Sequence, residues 1–123
     1  MPFRSLLPLA ALLLAAASPA LAQSAAEGQK LFQTRCATCH SLDAGVNKLG
    51  PSLAGVIGRT AGTVEGARYS ANMKSSGLVW DAATLDQYLA NPRQTVPGTT
   101  MTIALPNSEQ RAAIIAYLTE AAQ

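Results

Sequence analysis

Cys36, Cys39 and His40 form a C-x-x-C-H pattern in a chain with two cysteines and one histidine in all. This spacing is typical of covalent haem attachment, in which both thiols form thioethers and the histidine bonds the iron. A zinc site needs about four ligands, which is more than these side chains supply. A thioredoxin-type redox pair belongs on a βαβ unit, and no strands are predicted here. The pattern therefore predicts one covalently bound haem with His40 on the iron.

The second axial position of that iron needs a different residue type, because the chain has no second histidine. Methionine, lysine, tyrosine, a chain terminus, water or an empty position are all open by residue type alone. Two methionines follow the haem motif, Met73 and Met101. Met101 ends a loop that begins at Pro97, and such a loop can hold a thioether over the ring. Met73 falls on a short predicted helix at the solvent edge, and we interpret it as core filler.

Residues 1–22 have the features of a secretory signal peptide. Arg4 supplies a positive charge, residues 6–17 are almost wholly apolar, and the stretch ends in the small-residue pattern Ala20-x-Ala22. The apolar run is much shorter than the roughly 20 residues of a membrane span. We expect cleavage after Ala22, a single mature domain of residues 23–123, and no stable membrane insertion. An uncleaved anchor is the alternative.

The start of the mature chain is predicted to be helical, and a long loop follows it. Ser24 and Glu27 form a capping box for a helix that runs to about Arg35. Gly28 is a poor helix former, but on the packing face it permits another helix to approach closely. Residues 41–69 are rich in glycine and have no sustained period, which predicts a loop. A loop of that length suggests a bound cofactor around which it wraps.

Later helices are predicted from residues that can cap their N-termini, namely Ser70, Asp81 and Asn107. The second of these helices is predicted to end at Asn91, because a proline follows. Residues 92–107 are predicted to be loop. No segment alternates as a strand does, so the predicted class is all-α with long loops.

The composition excludes one functional class and supports the cofactor. Nine basic and seven acidic residues are dispersed without a basic run, which argues against nucleic-acid binding. Aromatic residues make up only 5% of the chain. A buried cofactor would supply the apolar bulk that a domain of this size otherwise lacks.

The chain resembles the mitochondrial-type class I cytochromes c along nearly its whole mature length. The matching stretches are residues 28–32, 36–40, 50–53, 58–62, 69–70, 80, 84–92, 97–101 and 116–118. The resemblance implies an all-α fold whose N- and C-terminal helices pack together while long loops wrap a covalent haem. Together with the predicted signal peptide, it suggests a bacterial, periplasmic relative of these proteins.

The resemblance implies roles for individual residues. Met101 would be the sixth iron ligand, and the Pro51 carbonyl would accept the other ring N–H of His40. Tyr88 would lie near the Met101 sulfur. Contacts to a haem propionate would come from Arg59, Tyr69, Trp80, Ser70 and Thr99.

The resemblance also has a packing implication and two departures. The first helix would pack through Gly28 and Phe32 against Ile115 and Leu118 of the last. Relatives often carry a polar residue at the position of Met73 and a lysine before the methionine ligand. This chain has Thr100 before Met101. Its only lysines are Lys30, Lys48 and Lys74, so the ring of lysines around the haem edge is largely missing.

The function implied is a diffusible one-electron carrier, not an enzyme, and a monomer. Its partners would be membrane or periplasmic redox complexes: quinol–cytochrome c reductase, cytochrome oxidase or a periplasmic dehydrogenase. We expect docking on a small apolar patch that includes Ala37 and Ile103. The alternatives are a haem enzyme or gas sensor with a labile sixth ligand, which requires Met101 to be absent or loosely held, and an electron-accepting subunit of a periplasmic dehydrogenase.

Overall fold

The computed structural model describes residues 1–3, 11, 13 and 19–123. The predicted signal peptide lies largely outside the described residues. Within the described part of the chain, no helix combines the length and the apolar character needed to cross a membrane.

Residues 19–123 form an all-α fold, as predicted. The helices are α1 (Pro19–Arg35), α2 (Ala71–Ser75), α3 (Ala82–Ala90), α4 (Pro92–Thr95) and α5 (Ser108–Ala121). Over the same residues, β pairing is limited to one isolated bridge between Thr60 and Val79.

Three of the helices begin at the predicted capping residues. The side chain of Ser70 accepts the backbone N–H of Met73, which starts α2. Asp81 and Asn107 do the same for α3 and α5, each accepting an N–H from three residues further on. These caps satisfy backbone donors that the first turn of a helix leaves without partners.

Two helix predictions were wrong, and both errors involve a proline at a helix start. α1 begins at Pro19 and not at Ser24, because a proline fits the first turn and residues 20–22 are good helix formers. The predicted loop after α3 opens with the short helix α4. Pro92 ends α3 and also occupies the first position of α4, while Asn91 caps α4 by accepting the N–H of Gln94.

The first and last helices cross in close contact, as predicted. Gly28 lies directly against the backbone of Ala113 and the Cβ of Tyr117, so a side chain at Gly28 would collide with the Ala113 carbonyl. The closest approach at Gly28 therefore involves these two residues and not the predicted Ile115 and Leu118. Phe32 stacks at a tilt on Tyr117, with ring centroids 5.7 Å apart.

Residues 41–69 form the predicted long loop, which is ordered by turns and backbone hydrogen bonds. Its first part closes through the N–H of Leu53, which donates to the Ser41 carbonyl over 2.9 Å. Its later part is tied to residues 78–80 by the N–H of Ala61, which donates to Leu78 over 2.8 Å. This loop, α3 and residues 99–105 contribute to the lining of one cavity.

Candidate functional site

The cavity has a volume of about 390 Å³, within the usual range for cofactor and ligand sites. Its walls are mainly apolar and include Phe32, Leu53, Val56, Leu85, Leu89, Leu105, Ile114 and Leu118. All the site residues predicted from the sequence line it: Cys36, Cys39, His40, Pro51, Arg59, Tyr69, Ser70, Trp80, Tyr88, Thr99 and Met101. The fold therefore brings together residues that are widely separated in the sequence.

The two cysteines and the histidine lie on a turn that directly follows α1. The N–H of Cys36 donates to Phe32, and the N–H of His40 donates to Cys36 over 2.9 Å. This turn exposes both thiols and the imidazole to the cavity, and both thiols are free. Burial raises the pKa of the Cys36 thiol, while the positive charge of Arg35 opposes that shift.

The imidazole of His40 is held in one orientation. Its Nδ1 lies 2.8 Å from the carbonyl oxygen of Pro51. A carbonyl only accepts hydrogen bonds, so Nδ1 carries the proton and Nε2 keeps a lone pair for a metal. Gly50 has no side chain, and a Cβ there would meet the ring. This is the contact to Pro51 that the resemblance implies.

His40 is kept neutral by its surroundings. Burial lowers the pKa of the imidazole, and the positive charge of Arg59 acts in the same direction. The hydrogen bond to Pro51 opposes both effects. A neutral imidazole is the form that binds a metal.

Both methionines within residues 19–123 face the cavity. Met101 is partly buried on the loop that follows α4. Met73 is only 7% exposed, although it lies on a helix whose other residues are exposed, so α2 is at the solvent edge as predicted. The turn of α2 directs Met73 inward and leaves Lys74 exposed, and Met73 belongs to the buried core as the core-filler interpretation predicted.

One wall of the cavity presents hydrogen-bond donors. The Nη1 of Arg59 donates to the Ala54 carbonyl over 3.0 Å, and the other guanidinium donors make no hydrogen bond within the described residues. The Tyr69 hydroxyl accepts the N–H of Val64, so its own proton is available to a ligand. The Ser70 hydroxyl accepts the N–H of Met73, so its own proton is also available to a ligand. No aspartate or glutamate is among the described residues that line the cavity, so this wall suits a carboxylate.

Around Tyr88, by contrast, two polar side chains form a hydrogen bond with each other. The hydroxyls of Tyr88 and Thr99 lie 2.7 Å apart and link α3 to the loop that carries Met101. Burial raises the pKa of the Tyr88 phenol, against the effect of Thr99. Trp80 packs on Tyr88 with ring centroids 5.0 Å apart. Two hydroxyls that share one hydrogen bond leave one proton free, so Thr99 or Tyr88 can still donate to a ligand.

Arg68 and Leu49 are among the cavity-lining residues that sequence reasoning did not assign to the site. Arg68 immediately precedes Tyr69, and Leu49 precedes Gly50, so position next to a predicted site residue was the available signal. Leu49 is 82% exposed.

These features define a small all-α protein built around one covalently attached, largely buried cofactor. A family model described as Cytochrome c matches residues 25–122. The chain is 48% identical to cytochrome c 2.1 of Caenorhabditis briggsae over 75% of this chain and 83% of the relative. It is 52% identical to cytochrome c2 iso-2 of Magnetospirillum fulvum over 68% of this chain and 88% of the relative. The chain belongs to the cytochrome c family.

Membership in this family establishes the cofactor and the kind of activity. The protein carries haem c, covalently attached, and it transfers electrons and is not an enzyme. The residues fit the group: an apolar cavity, two free thiols on one turn, an oriented neutral imidazole, and donors for carboxylates. Bound haem supplies an iron that changes reversibly by one electron between its ferric and ferrous states.

Proposed function

We propose that this chain is a periplasmic one-electron carrier in which Cys36 and Cys39 bind the haem and His40 and Met101 hold the iron. The observation that carries the proposal is the placement of an oriented imidazole and a loop methionine in the walls of one cavity. With both ligands bound, no position on the iron is left for a substrate. This coordination favours electron transfer over catalysis or gas sensing.

The residues of the cavity have distinct proposed roles. The Pro51 carbonyl orients His40 and raises the basicity of Nε2. Arg59 and Tyr69 hold one haem carboxylate, with Trp80, Ser70 and Thr99 helping. The apolar walls keep water away and disfavour the more highly charged ferric form, which raises the reduction potential.

Met101→Ala and Met73→Leu are the variants that test the ligation. We expect the weak far-red thioether-to-iron absorption band of the ferric protein to vanish in Met101→Ala and to persist in Met73→Leu. Carbon monoxide should bind the ferrous form of Met101→Ala and not that of the unaltered protein. Carbon monoxide binding by the unaltered protein would instead support the sensor or enzyme alternative.

The export proposal depends on the leader and on the bacterial relative. The first 22 residues have the pattern of a signal peptide, and one relative is a cytochrome c2 of the bacterium Magnetospirillum fulvum. We expect the protein in the periplasmic fraction, with Gln23 as its first residue by N-terminal sequencing and mass. Recovery of a membrane-bound protein that retains Met1 would favour an uncleaved anchor.

The partners we propose are quinol–cytochrome c reductase, cytochrome oxidase or a periplasmic dehydrogenase, met as transient encounters. Ile103 is 37% exposed and Leu49 is largely exposed, and both line the mouth of the cavity. Docking through such a patch makes electron transfer only weakly dependent on salt, because screening acts on charges. We expect the rate with a redox partner to fall less than about tenfold from low to physiological ionic strength.

The same stopped-flow measurement can reveal a basic docking site. Lys48 donates to the Ala37 carbonyl over 2.8 Å, which places its ammonium group beside the haem motif, and Arg35 lines the cavity. A steep fall in rate with salt, abolished by Lys48→Gln, would show that these charges and not the apolar patch direct docking.

A further inference from the structure

We propose that Arg68 binds the second haem carboxylate and raises the reduction potential of the protein. The inference rests on the haem arrangement proposed above, in which Arg59 and Tyr69 hold the first carboxylate. It adds a cofactor-binding residue at a position that the sequence pattern did not indicate.

The charges in the cavity wall require an explanation. The described lining contains three arginines, Arg35, Arg59 and Arg68, and no acidic side chain. Haem brings two carboxylates, and a carboxylate in a partly apolar site is stabilised by a cationic partner. Arg59, partly buried and tied to Ala54, is placed to serve one of them.

Arg35 belongs to another part of the cavity. It immediately precedes Cys36, and its charge acts on the pKa of the Cys36 thiol. That places Arg35 at the attachment end, where the thioethers form. Arg68 therefore remains as the cation for the second carboxylate.

The backbone around Arg68 is fixed in place. The N–H of Val64 donates to the Tyr69 hydroxyl over 3.2 Å, and the N–H of Ala67 donates to the Val64 carbonyl over 3.3 Å. Asn47 anchors the same turn by donating to the Glu65 carbonyl over 3.0 Å. Arg68 thus leaves a closed, anchored turn, next in the chain to a residue that we assign to the first carboxylate.

The guanidinium of Arg68 is available for this task. Among the described residues, the ion pairs are those of Lys30 with Glu27 and of Arg111 with Asp86. Arg68 is exposed and forms neither an ion pair nor a side-chain hydrogen bond within that part of the chain. Thr100, which also lines the cavity, is neutral, so Arg68 supplies positive charge that the residue before Met101 lacks.

A cation at this carboxylate changes the redox equilibrium in a definite direction. It neutralises negative charge close to the iron, and it therefore disfavours the ferric form, which carries one more positive charge than the ferrous form. Removal of the Arg68 charge should lower the reduction potential. The exposure of Arg68 limits the size of the effect, because solvent and salt screen the charge.

The test compares the potentials of Arg68→Gln, Arg68→Lys and Arg93→Gln in the haem-loaded protein. At a solution potential fixed near the reduction potential of the unaltered protein, we expect Arg68→Gln to raise the ferric-to-ferrous ratio about threefold. This corresponds to a fall in the reduction potential of ~28 mV, at 59 mV per tenfold change. Lysine should restore part of the shift. Arg93 is exposed on α4 and is not among the lining residues, so Arg93→Gln makes the same change in net charge away from the cavity.

Equal shifts in Arg68→Gln and Arg93→Gln would reduce the effect to net charge and overturn the proposal. No shift in Arg68→Gln would overturn it as well. The ligation proposal is judged separately by the far-red band of the unaltered protein. Its absence would refute Met101 ligation, while the comparison of the two arginines would still report on the carboxylate.

Discussion

The crossing of α1 and α5 and the loop of residues 41–69 stabilise the same molecule in different ways. At the crossing, the polypeptide supplies both partners: Gly28 touches the backbone of Ala113, and Phe32 stacks on Tyr117. The loop instead contains turns and backbone hydrogen bonds, and it borders a cavity of about 390 Å³. The two helices therefore pack against each other, whereas the loop packs against the cofactor.

Because of this difference, the loop carries the binding residues and the helix crossing carries the scaffold. The loop provides Pro51, Arg59 and Tyr69, which orient His40 and bind carboxylates in our proposal. The helix crossing provides a rigid base for the turn that carries the thiols. Loops placed on a rigid scaffold are the usual location of binding residues.

The strongest test of the comparison is removal of the haem, for which Cys36→Ser combined with Cys39→Ser serves. We expect residues 41–69 to lose their order, because the walls of the cavity then lack their packing partner. Amide hydrogen exchange should be fast throughout that loop and slower only at the α1–α5 crossing. A native-like near-ultraviolet circular dichroism spectrum from the haem-free protein would contradict the division.

The second test overpacks the helix crossing through Gly28→Ala. The new Cβ would meet the carbonyl of Ala113, which is backbone and moves only if α5 moves. Overpacking costs about 1–3 kcal/mol and occasionally more, whereas alanine gains about 1 kcal/mol over glycine in a helix. Because the obstacle is backbone, we expect a cost at the upper end, about 3 kcal/mol, and thus a net loss of about 2 kcal/mol in urea unfolding of the haem-loaded protein.

Gln29→Ala is the control for that test, since Gln29 is exposed on the same helix. It should change the free energy of unfolding by less than about 0.5 kcal/mol. Equal stabilities of Gly28→Ala and Gln29→Ala would mean that the crossing can spread without cost.

The sequence predicts best what depends on neighbours in the chain. The caps at Ser70, Asp81 and Asn107 were found because each bond spans three residues. The haem motif was found because the C-x-x-C-H spacing lets both thiols and the histidine reach one haem. The resemblance supplied the more distant cavity residues, such as Arg59 and Met101.

Tertiary contacts decide what the sequence did not predict. Met73 was predicted to be core filler on a helix at the solvent edge, but a five-residue helix gives no clear apolar face, so its place in the wall of the cavity was not predicted. The bond between Tyr88 and Thr99 joins two segments whose approach only the fold determines. Arg68 has the sequence context of a surface charge, and its place in the cavity wall follows from the turn that holds it.

The third test weakens a contact in the cavity wall outside both regions, the hydrogen bond that joins Tyr88 of α3 to Thr99. Tyr88→Phe leaves a buried hydroxyl without its partner, which costs about 1–3 kcal/mol. We expect a loss near the lower end, since the Thr99 hydroxyl can still donate to a haem carboxylate. A double-mutant cycle with Thr99→Val should give a coupling of about 1 kcal/mol. A coupling of zero would show that the two hydroxyls are satisfied independently.

The smallest effect concerns Asp81, which caps α3 on the protein surface. The backbone N–H of Thr84 lowers the pKa of the Asp81 carboxyl, and the Thr84 hydroxyl and the Ala83 N–H add to the shift. A carboxyl whose folded pKa lies below its unfolded pKa stabilises the fold above the unfolded value, and this contribution is lost as the pH falls through the folded pKa.

Asp81→Asn separates the titration of the cap from its hydrogen bond, because asparagine can accept the same N–H but carries no charge. We expect the aspartate protein to be slightly more stable than the variant at neutral pH, and the gap to close as the pH falls below the ordinary range of a carboxyl. Urea midpoints at a series of pH values measure the gap, with Glu120→Gln at the exposed end of α5 as the control. A gap that stays constant into acid would mean that the charge of Asp81 contributes nothing to the cap. The same series can be measured on the haem-free protein. If the gap closes in acid only in the haem-loaded protein, then α3, like the loop of residues 41–69, depends on the cofactor for its order.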